Sequence, residues 1–323
     1  MAEAGTLVPP VEVQQGVSLQ APASGRRAFG AVAKDYYDIS KPRILYLLLI
    51  VAWSAMAVAS RGLPPWRPFL AVTLAGAFSV ASSGAFNHVL ERGRDARMAR
   101  TATRPIASGR LSPTAGLVYG FVTAALAYAS LAVAGLQVAA LLTLGAIAYY
   151  VLVYTVVLKP STPQNIVIGG LAGSFPALIG WSAATGGLAW PASLPAWALA
   201  LLVFLWTPAH FWALALLYKE DYGAADYPMM PNVRGEASTR RQVVAYSALT
   251  VACSTSLVFS GSAGWVYLMV AALLGALLLM RSVRMMAEPS PKAYRGFFLF
   301  TIQYLGVLLL ALIVDQAARF PVA

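Results

Sequence analysis

The chain holds only 12 acidic residues, and Glu91, Asp95, Glu220, Asp221 and Asp226 gather in two short segments separated by four apolar runs. The first segment reads Asn87-His88-Val89-Leu90-Glu91-Arg92-Gly93-Arg94-Asp95. Asn87, Glu91 and Asp95 recur every fourth residue and so share one face of a helix. The second reads Tyr218-Lys219-Glu220-Asp221-Tyr222-Gly223-Ala224-Ala225-Asp226, again with carboxylates about one turn apart. Carboxylate and amide oxygens are hard ligands suited to Mg²⁺, which binds through one or two carboxylates, waters and substrate phosphate. Two such clusters facing each other would hold a diphosphate between them.

The cations nearby fit the same ligand. Arg100 and Arg104 follow the first cluster, Lys159 stands on a turn between two apolar runs, and Lys41 and Arg43 open the first run. Arginine and lysine stabilise charge on a departing phosphate. A lipid diphosphate ionises when its leaving group is neutralised, and the allylic cation it leaves survives in apolar, water-poor surroundings. His210 differs from these groups, because it lies inside the apolar run Phe204-Leu205-Trp206-Thr207-Pro208-Ala209-His210-Phe211-Trp212. An ionisable group at such a depth marks a functional site. A neutral imidazole there can ligate iron or orient a porphyrin propionate. Trp206, Phe211 and Trp212 either stack on a planar macrocycle or simply pack. His88, beside Asn87, reads as an interfacial polar residue.

The elements that must position these groups are membrane helices. Of 323 residues, 59% are hydrophobic and 11% charged, less than half the charged share of soluble domains, which is about 25%. Apolar runs long enough to cross a bilayer fall near 43–60, 68–90, 113–134, 137–157, 164–185, 196–217, 241–260, 264–284 and 296–315. The reading is all-α: a polytopic membrane protein of nine transmembrane helices in a bundle enclosing a central cavity. Residues 1–40, rich in Pro, Ala, Gln and Gly with no apolar core, read as a mobile cytoplasmic tail before a single intramembrane domain over 41–323. With the amino terminus in the cytoplasm, all of the 23 Lys and Arg except Arg61, Arg67 and Arg319 fall inside, together with both acidic segments. Anionic lipid headgroups thus account for the +11 net charge without nucleic acid. The lone Cys253 excludes disulfide frameworks and thiol metal sites.

Longer strings carry a family resemblance. They are Lys41-Pro42-Arg43; Asn87 through Asp95 with Met98, Arg100-Thr101 and Arg104-Pro105; Thr162-Pro163-Gln164-Asn165-Ile166-Val167-Ile168-Gly169-Gly170; Trp206-Thr207 with His210-Phe211-Trp212; and Asp221-Tyr222 followed by Pro228-Met229-Met230-Pro231. From Lys41 onward the chain resembles the UbiA-type intramembrane prenyltransferases, and within them the branch whose acceptor is protoheme. The resemblance implies transfer of farnesyl from farnesyl diphosphate to a vinyl group of protoheme, giving heme O in the inner membrane of the cell. It assigns one Mg²⁺ to Asn87, Glu91 and Asp95 and a second to Asp221 and Asp226. It places Lys41, Arg43, Arg100, Arg104 and Lys159 on the diphosphate, His210, Trp206 and Trp212 near heme, and Gln164 and Asn165 at the cavity mouth. Heme is then a substrate and not a resident cofactor, and a downstream heme-modifying enzyme or oxidase assembly factor is the implied partner. The chain departs from that family at Gly93, where relatives carry a further Asp, at Pro160, where a second basic residue is usual, and at Asp226, where Gly is frequent. A quinone-ring or chlorophyll-type prenyltransferase and a heme or lipid-phosphate transporter are the rival readings. A transporter would place its acids near the bilayer midplane, whereas these lie at one end.

Overall fold

The computed structural model describes residues 28–320, which contain helices and no strand. A short helix, α1 (Phe29–Ile39), precedes nine that are long and apolar enough to cross a membrane. These are α2 (Pro42–Ser60), α3 (Trp66–Leu90), α4 (Pro113–Ala132), α5 (Gln137–Ser161), α6 (Asn165–Thr185), α7 (Leu194–Leu217), α8 (Glu236–Phe259), α9 (Trp265–Ala287) and α10 (Pro291–Arg319). Each expected apolar run lies on one of them. The last helix outruns its apolar run, and a polar cap starts it early: the Ser290 hydroxyl accepts the Ala293 N–H at the start of α10.

Residues 1–27 of the expected tail lie outside the described residues. The remainder is not a tail but α1. Asp35 and Ile39, one turn apart, are buried, and Arg110 donates to Asp35 at 3.0 Å. Composition concealed this helix because its buried face is only a few residues long.

The bundle is centred on α7, whose apolar window is 72% buried, against 22% for α5, which faces lipid. Helices in lipid gain little from apolar burial alone and pack through small residues that let backbones touch. A Cβ at Gly180 on α6 would sit 2.1 Å from the Ala52 carbonyl oxygen of α2, and one at Gly84 on α3 would sit 2.3 Å from the Ile39 carbonyl oxygen. The second contact matters for the site, since it seats the junction of α1 and α2 against the last turns of α3.

Candidate functional site

Backbone hydrogen bonds from Glu91 to Asn87 and from Asp95 to Glu91 carry the helical register past the end of α3 into the short turn Arg92–Asp95. The face expected from the four-residue spacing therefore forms. Asn87, Glu91 and Asp95 are 2%, 5% and 0% exposed, so these oxygens turn into the bundle and away from water. Buried charges must be paired, and each of the three meets a cation from another part of the chain.

Lys41 occupies the break between α1 and α2 with φ 50, a left-handed conformation that costs a side-chain-bearing residue energy and often marks a functional position. Its ammonium donates to Asn87 Oδ1 at 2.5 Å. Burial, with the Arg104 charge adding to it, pushes the Lys41 amine down to about 7. Lys159 donates to Glu91 Oε1 at 2.5 Å. Burial pushes the Glu91 carboxyl up, but Lys159, through its charge and hydrogen bond, outweighs this and holds it below its ordinary value. Arg104 Nη1 donates to both carboxylate oxygens of Asp95 at 2.8 Å. Lys159 arrives through a π-helical stretch, Tyr149–Leu158, that ends α5. The same wide winding brings the Thr155 hydroxyl within 3.4 Å of Asn87 Nδ2. Such π segments recur at functional sites.

The second acidic segment folds over the first. Its helix is short, Lys219–Ala224, and Asp226 follows it with φ 54. Asp226 therefore does not continue the face of Asp221 as one-turn spacing predicts. Its side chain is 76% exposed and accepts from Arg97 Nη1 at 2.6 Å. The left-handed backbone, which Asp tolerates better than most residues, turns it outward. Asp221 is half-buried, with no side-chain hydrogen bond or ion pair among the described residues. Arg94 stands 4.8 Å from the Tyr227 ring centroid, and Arg100 stands 5.0 Å and 5.9 Å from the rings of Tyr218 and Tyr222. Arg94, Arg97 and Arg100, three residues apart, thus fasten one acidic segment to the other. Sequence reasoning counted Arg94 and Arg97 only among the charges on the inner side. Their spacing, matched by Tyr218, Tyr222 and Tyr227 opposite, is the signal that was available.

Other expected site residues divide. Asn165 is fully buried, with Nδ2 on the Thr162 carbonyl at 2.6 Å and 3.6 Å from Met229 Sδ. Gln164 and Arg43 are exposed with no side-chain partner among the described residues. Trp206 stacks on His210 with centroids 4.3 Å apart, and its indole N–H donates to the Thr301 carbonyl at 2.9 Å. Trp212 belongs elsewhere. Two residues along a helix point to opposite sides, and Trp212 packs edge-on against Tyr246 of α8 at 5.4 Å, leaving it turned away from His210. His210 is sandwiched between Trp206 and Phe298, the latter 4.6 Å away, and its Nδ1 lies 2.7 Å from Thr301 Oγ1. The Thr301 hydroxyl donates its one proton to the Phe298 carbonyl at 2.6 Å. With its proton there, the hydroxyl accepts from His210 Nδ1–H, the tautomer that leaves the lone pair on Nε2.

These donors fit Mg²⁺. No group of three or more His, Cys, Asp or Glu is gathered tightly enough for an all-protein metal cage among the described residues, but Mg²⁺ needs only one or two carboxylates beside water and phosphate. Glu91 and Asp95, with Asn87 Oδ1, supply hard oxygens in an array already balanced by cations.

Comparison with known proteins agrees with this architecture. Residues 47–305 match the UbiA prenyltransferase family. The chain is 42% identical over 288 residues to a protoheme IX farnesyltransferase of Thermus thermophilus, covering 89% of this chain and 47% of that one, so that it spans about half the length of that relative. It is 43% identical over 298 residues to the protoheme IX farnesyltransferase of Symbiobacterium thermophilum, covering 91% and 98%. Among solved structures, the fold is shared with a UbiA homolog from Aeropyrum pernix, TM-score 0.70 at 19% identity, covering 84% of this chain and 97% of that one. It is shared as well with a UbiA homolog from Archaeoglobus fulgidus bound to GPP and Mg²⁺, TM-score 0.61 at 17% identity, covering 87% and 99%.

Proposed function

The chain belongs to the UbiA prenyltransferase family, and on that footing we propose that it transfers the farnesyl group of farnesyl diphosphate to a vinyl group of protoheme, with water adding the hydroxyl to the resulting cation, forming heme O and releasing diphosphate. The observation that carries the reading is the buried array in which Asn87, Glu91 and Asp95 each meet a cation, at the same end of the bundle as Asp221. An array of this composition suits a ligand that brings both metal and phosphate, because the carboxylates serve the one and the cations serve the other.

Asn87, Glu91 and Asp95 would hold Mg²⁺ from one side and Asp221 from the other, and the metal, when bound, supplies positive charge against the diphosphate as its bond to carbon breaks. Lys41, Lys159 and Arg104 exchange their carboxylate and amide partners for phosphate oxygens, and keep the departing diphosphate neutralised. Arg100 holds the cap through Tyr218 and Tyr222. Asp226, bonded to Arg97, fastens that cap and takes no part in metal binding. Below this polar layer the apolar faces of α3, α6 and α7 exclude water from the allylic cation. His210, seven residues before the end of α7, lies about 10 Å beneath the polar layer at 1.5 Å per residue. With Nδ1 fixed by Thr301, its Nε2 lone pair is turned to protoheme, either on iron or on a propionic acid proton, while the Trp206 ring lies alongside. The protein sits in the cell (inner) membrane with its amino terminus and both acidic segments cytoplasmic, and hands its product to a heme-modifying enzyme or oxidase assembly factor.

Incubation of the detergent-purified chain with protoheme, farnesyl diphosphate and Mg²⁺, followed by mass analysis of the extracted heme, tests this. Conversion of one vinyl group to hydroxyethylfarnesyl, a gain of farnesyl plus hydroxyl, is expected. Prenylation of a quinone precursor in place of protoheme would contradict the acceptor while leaving the metal and diphosphate site intact.

A further inference from the structure

The last residue of α7 and the first turns of α10 border a groove of about 460 Å³, lined by Leu217, Pro291, Lys292, Arg295, Gly296 and Leu299. None of these residues has a role above. Pockets of this volume take small-molecule ligands. Lys292 and Arg295, one turn apart on α10, are exposed, and neither has a hydrogen bond or an ion pair among the described residues. Leu217, Pro291 and Leu299 make the rest of the lining apolar. Gly296 keeps the groove open, since a Cβ there would meet no atom within 4 Å, although glycine weakens a helix interior.

The groove belongs to the same helix pair that holds His210. Leu217 lies two turns after His210 on one face of α7, and Arg295 lies one turn before Phe298, whose ring stacks on His210. At 1.5 Å per residue the groove is about 10 Å from His210 along α7, a distance that a porphyrin covers from its centre to the ends of its propionates. Two unpaired cations beside apolar side chains suit a flat apolar ligand with two carboxylates better than the single charge of a phosphodiester headgroup. We propose that this groove binds the propionate edge of protoheme, Lys292 and Arg295 each taking a carboxylate while the macrocycle lies along α7 and α10 toward His210. The inference rests on protoheme being the acceptor, and it extends that reading: with both propionates held at the groove, His210 Nε2 is left to the iron.

The test uses the full chain in an uncharged detergent, titrated by absorption with protoheme and with protoheme dimethyl ester, whose propionates carry no charge. Loss of two charge-assisted contacts corresponds to a fall of roughly 10- to 100-fold in affinity, so the wild-type chain should bind the ester more weakly than protoheme by that factor. The double variant Lys292→Gln, Arg295→Gln should lose protoheme affinity to the same extent, while its affinity for the ester and for inorganic diphosphate with Mg²⁺ stays at the wild-type value. Gly296→Leu, which fills the groove, should weaken binding of both hemes and leave the thermal midpoint in place. Equal wild-type affinity for protoheme and its ester overturns the inference, as does unchanged protoheme affinity in the double variant or in Gly296→Leu. A double variant that loses only its thermal stabilisation by added phosphatidylglycerol overturns it too, since the groove would then hold lipid. If the wild-type chain farnesylates protoheme and the double variant binds protoheme as tightly, this inference alone falls; if the wild-type chain binds neither heme, the acceptor reading falls with it.

Discussion

Replacing Lys159 by Met keeps the length of the side chain and removes its charge, leaving Glu91 without its closest partner. The two side chains are 12% and 5% exposed and 2.5 Å apart. Removing one member of a buried pair costs about 3–5 kcal/mol. Lys41 and Arg104 also act on the Glu91 charge, so the loss here should be nearer about 2–3 kcal/mol. In the wild-type protein Mg²⁺ must displace Lys159 from Glu91, whereas in the variant that carboxylate is already unpaired. The same energy should therefore reappear as roughly 30- to 150-fold tighter Mg²⁺ binding in the absence of diphosphate. Thermal unfolding in detergent, with chelator and then across a Mg²⁺ titration, reads both halves. Lys159→Met should melt below wild type in chelator and gain more than wild type as Mg²⁺ is added, by linkage of binding to folding. Diphosphate affinity should move the opposite way and fall. Mg²⁺ stabilisation no greater in Lys159→Met than in wild type would refute the idea that Lys159 and the metal compete for Glu91.

Three further outcomes follow from the same geometry. Asp226→Asn breaks an exposed ion pair worth about 0–1 kcal/mol, so turnover should fall less than tenfold, whereas Asp221→Asn should abolish it; equal, complete loss in both would return Asp226 to the metal. The folded pKa of Lys41, about 7, lies below its ordinary 10.5, so the unfolded chain binds more protons between those values and ligand-free stability rises with pH through that window. Diphosphate needs the ammonium, so its affinity should fall as pH rises above about 7 and Lys41→Arg should flatten the profile; a flat wild-type profile by calorimetry counts against this role. His210→Ala should weaken protoheme binding in an absorption titration, Thr301→Val should do so less by freeing the tautomer, and neither should change diphosphate affinity; unchanged heme spectra in His210→Ala would remove His210 from the acceptor site.

Nine apolar runs and one acidic helical face were legible in the sequence because both follow from periodicity: about 20 residues for a span and four for a face. Asn87, Glu91 and Asp95 kept their register because backbone bonds continue past Leu90. Periodicity misled where the helix stopped. Asp226 lies beyond Ala224 in a left-handed turn, so counting residues from Asp221 gave a face that the backbone does not build. Trp212 was grouped with His210 by proximity along the chain, although only Trp206, four residues away, shares that side. Lys41, Lys159 and Arg104, the partners of Asn87, Glu91 and Asp95, were named as neighbours of a phosphate, but the first two pairings depend on a break between helices and a π-helical stretch that no spacing rule encodes. The α1 helix was missed for the same reason, since Asp35 finds Arg110 only in three dimensions.

Heme extracted after incubation with farnesyl diphosphate and Mg²⁺, compared with a parallel sample in chelator and with Glu91→Gln, tests the central claim most directly. The account predicts, in the wild-type sample alone, the mass gain of one farnesyl group and one hydroxyl, as a vinyl group becomes hydroxyethylfarnesyl. Modified heme appearing equally in chelator, or in Glu91→Gln at the wild-type rate, would contradict it.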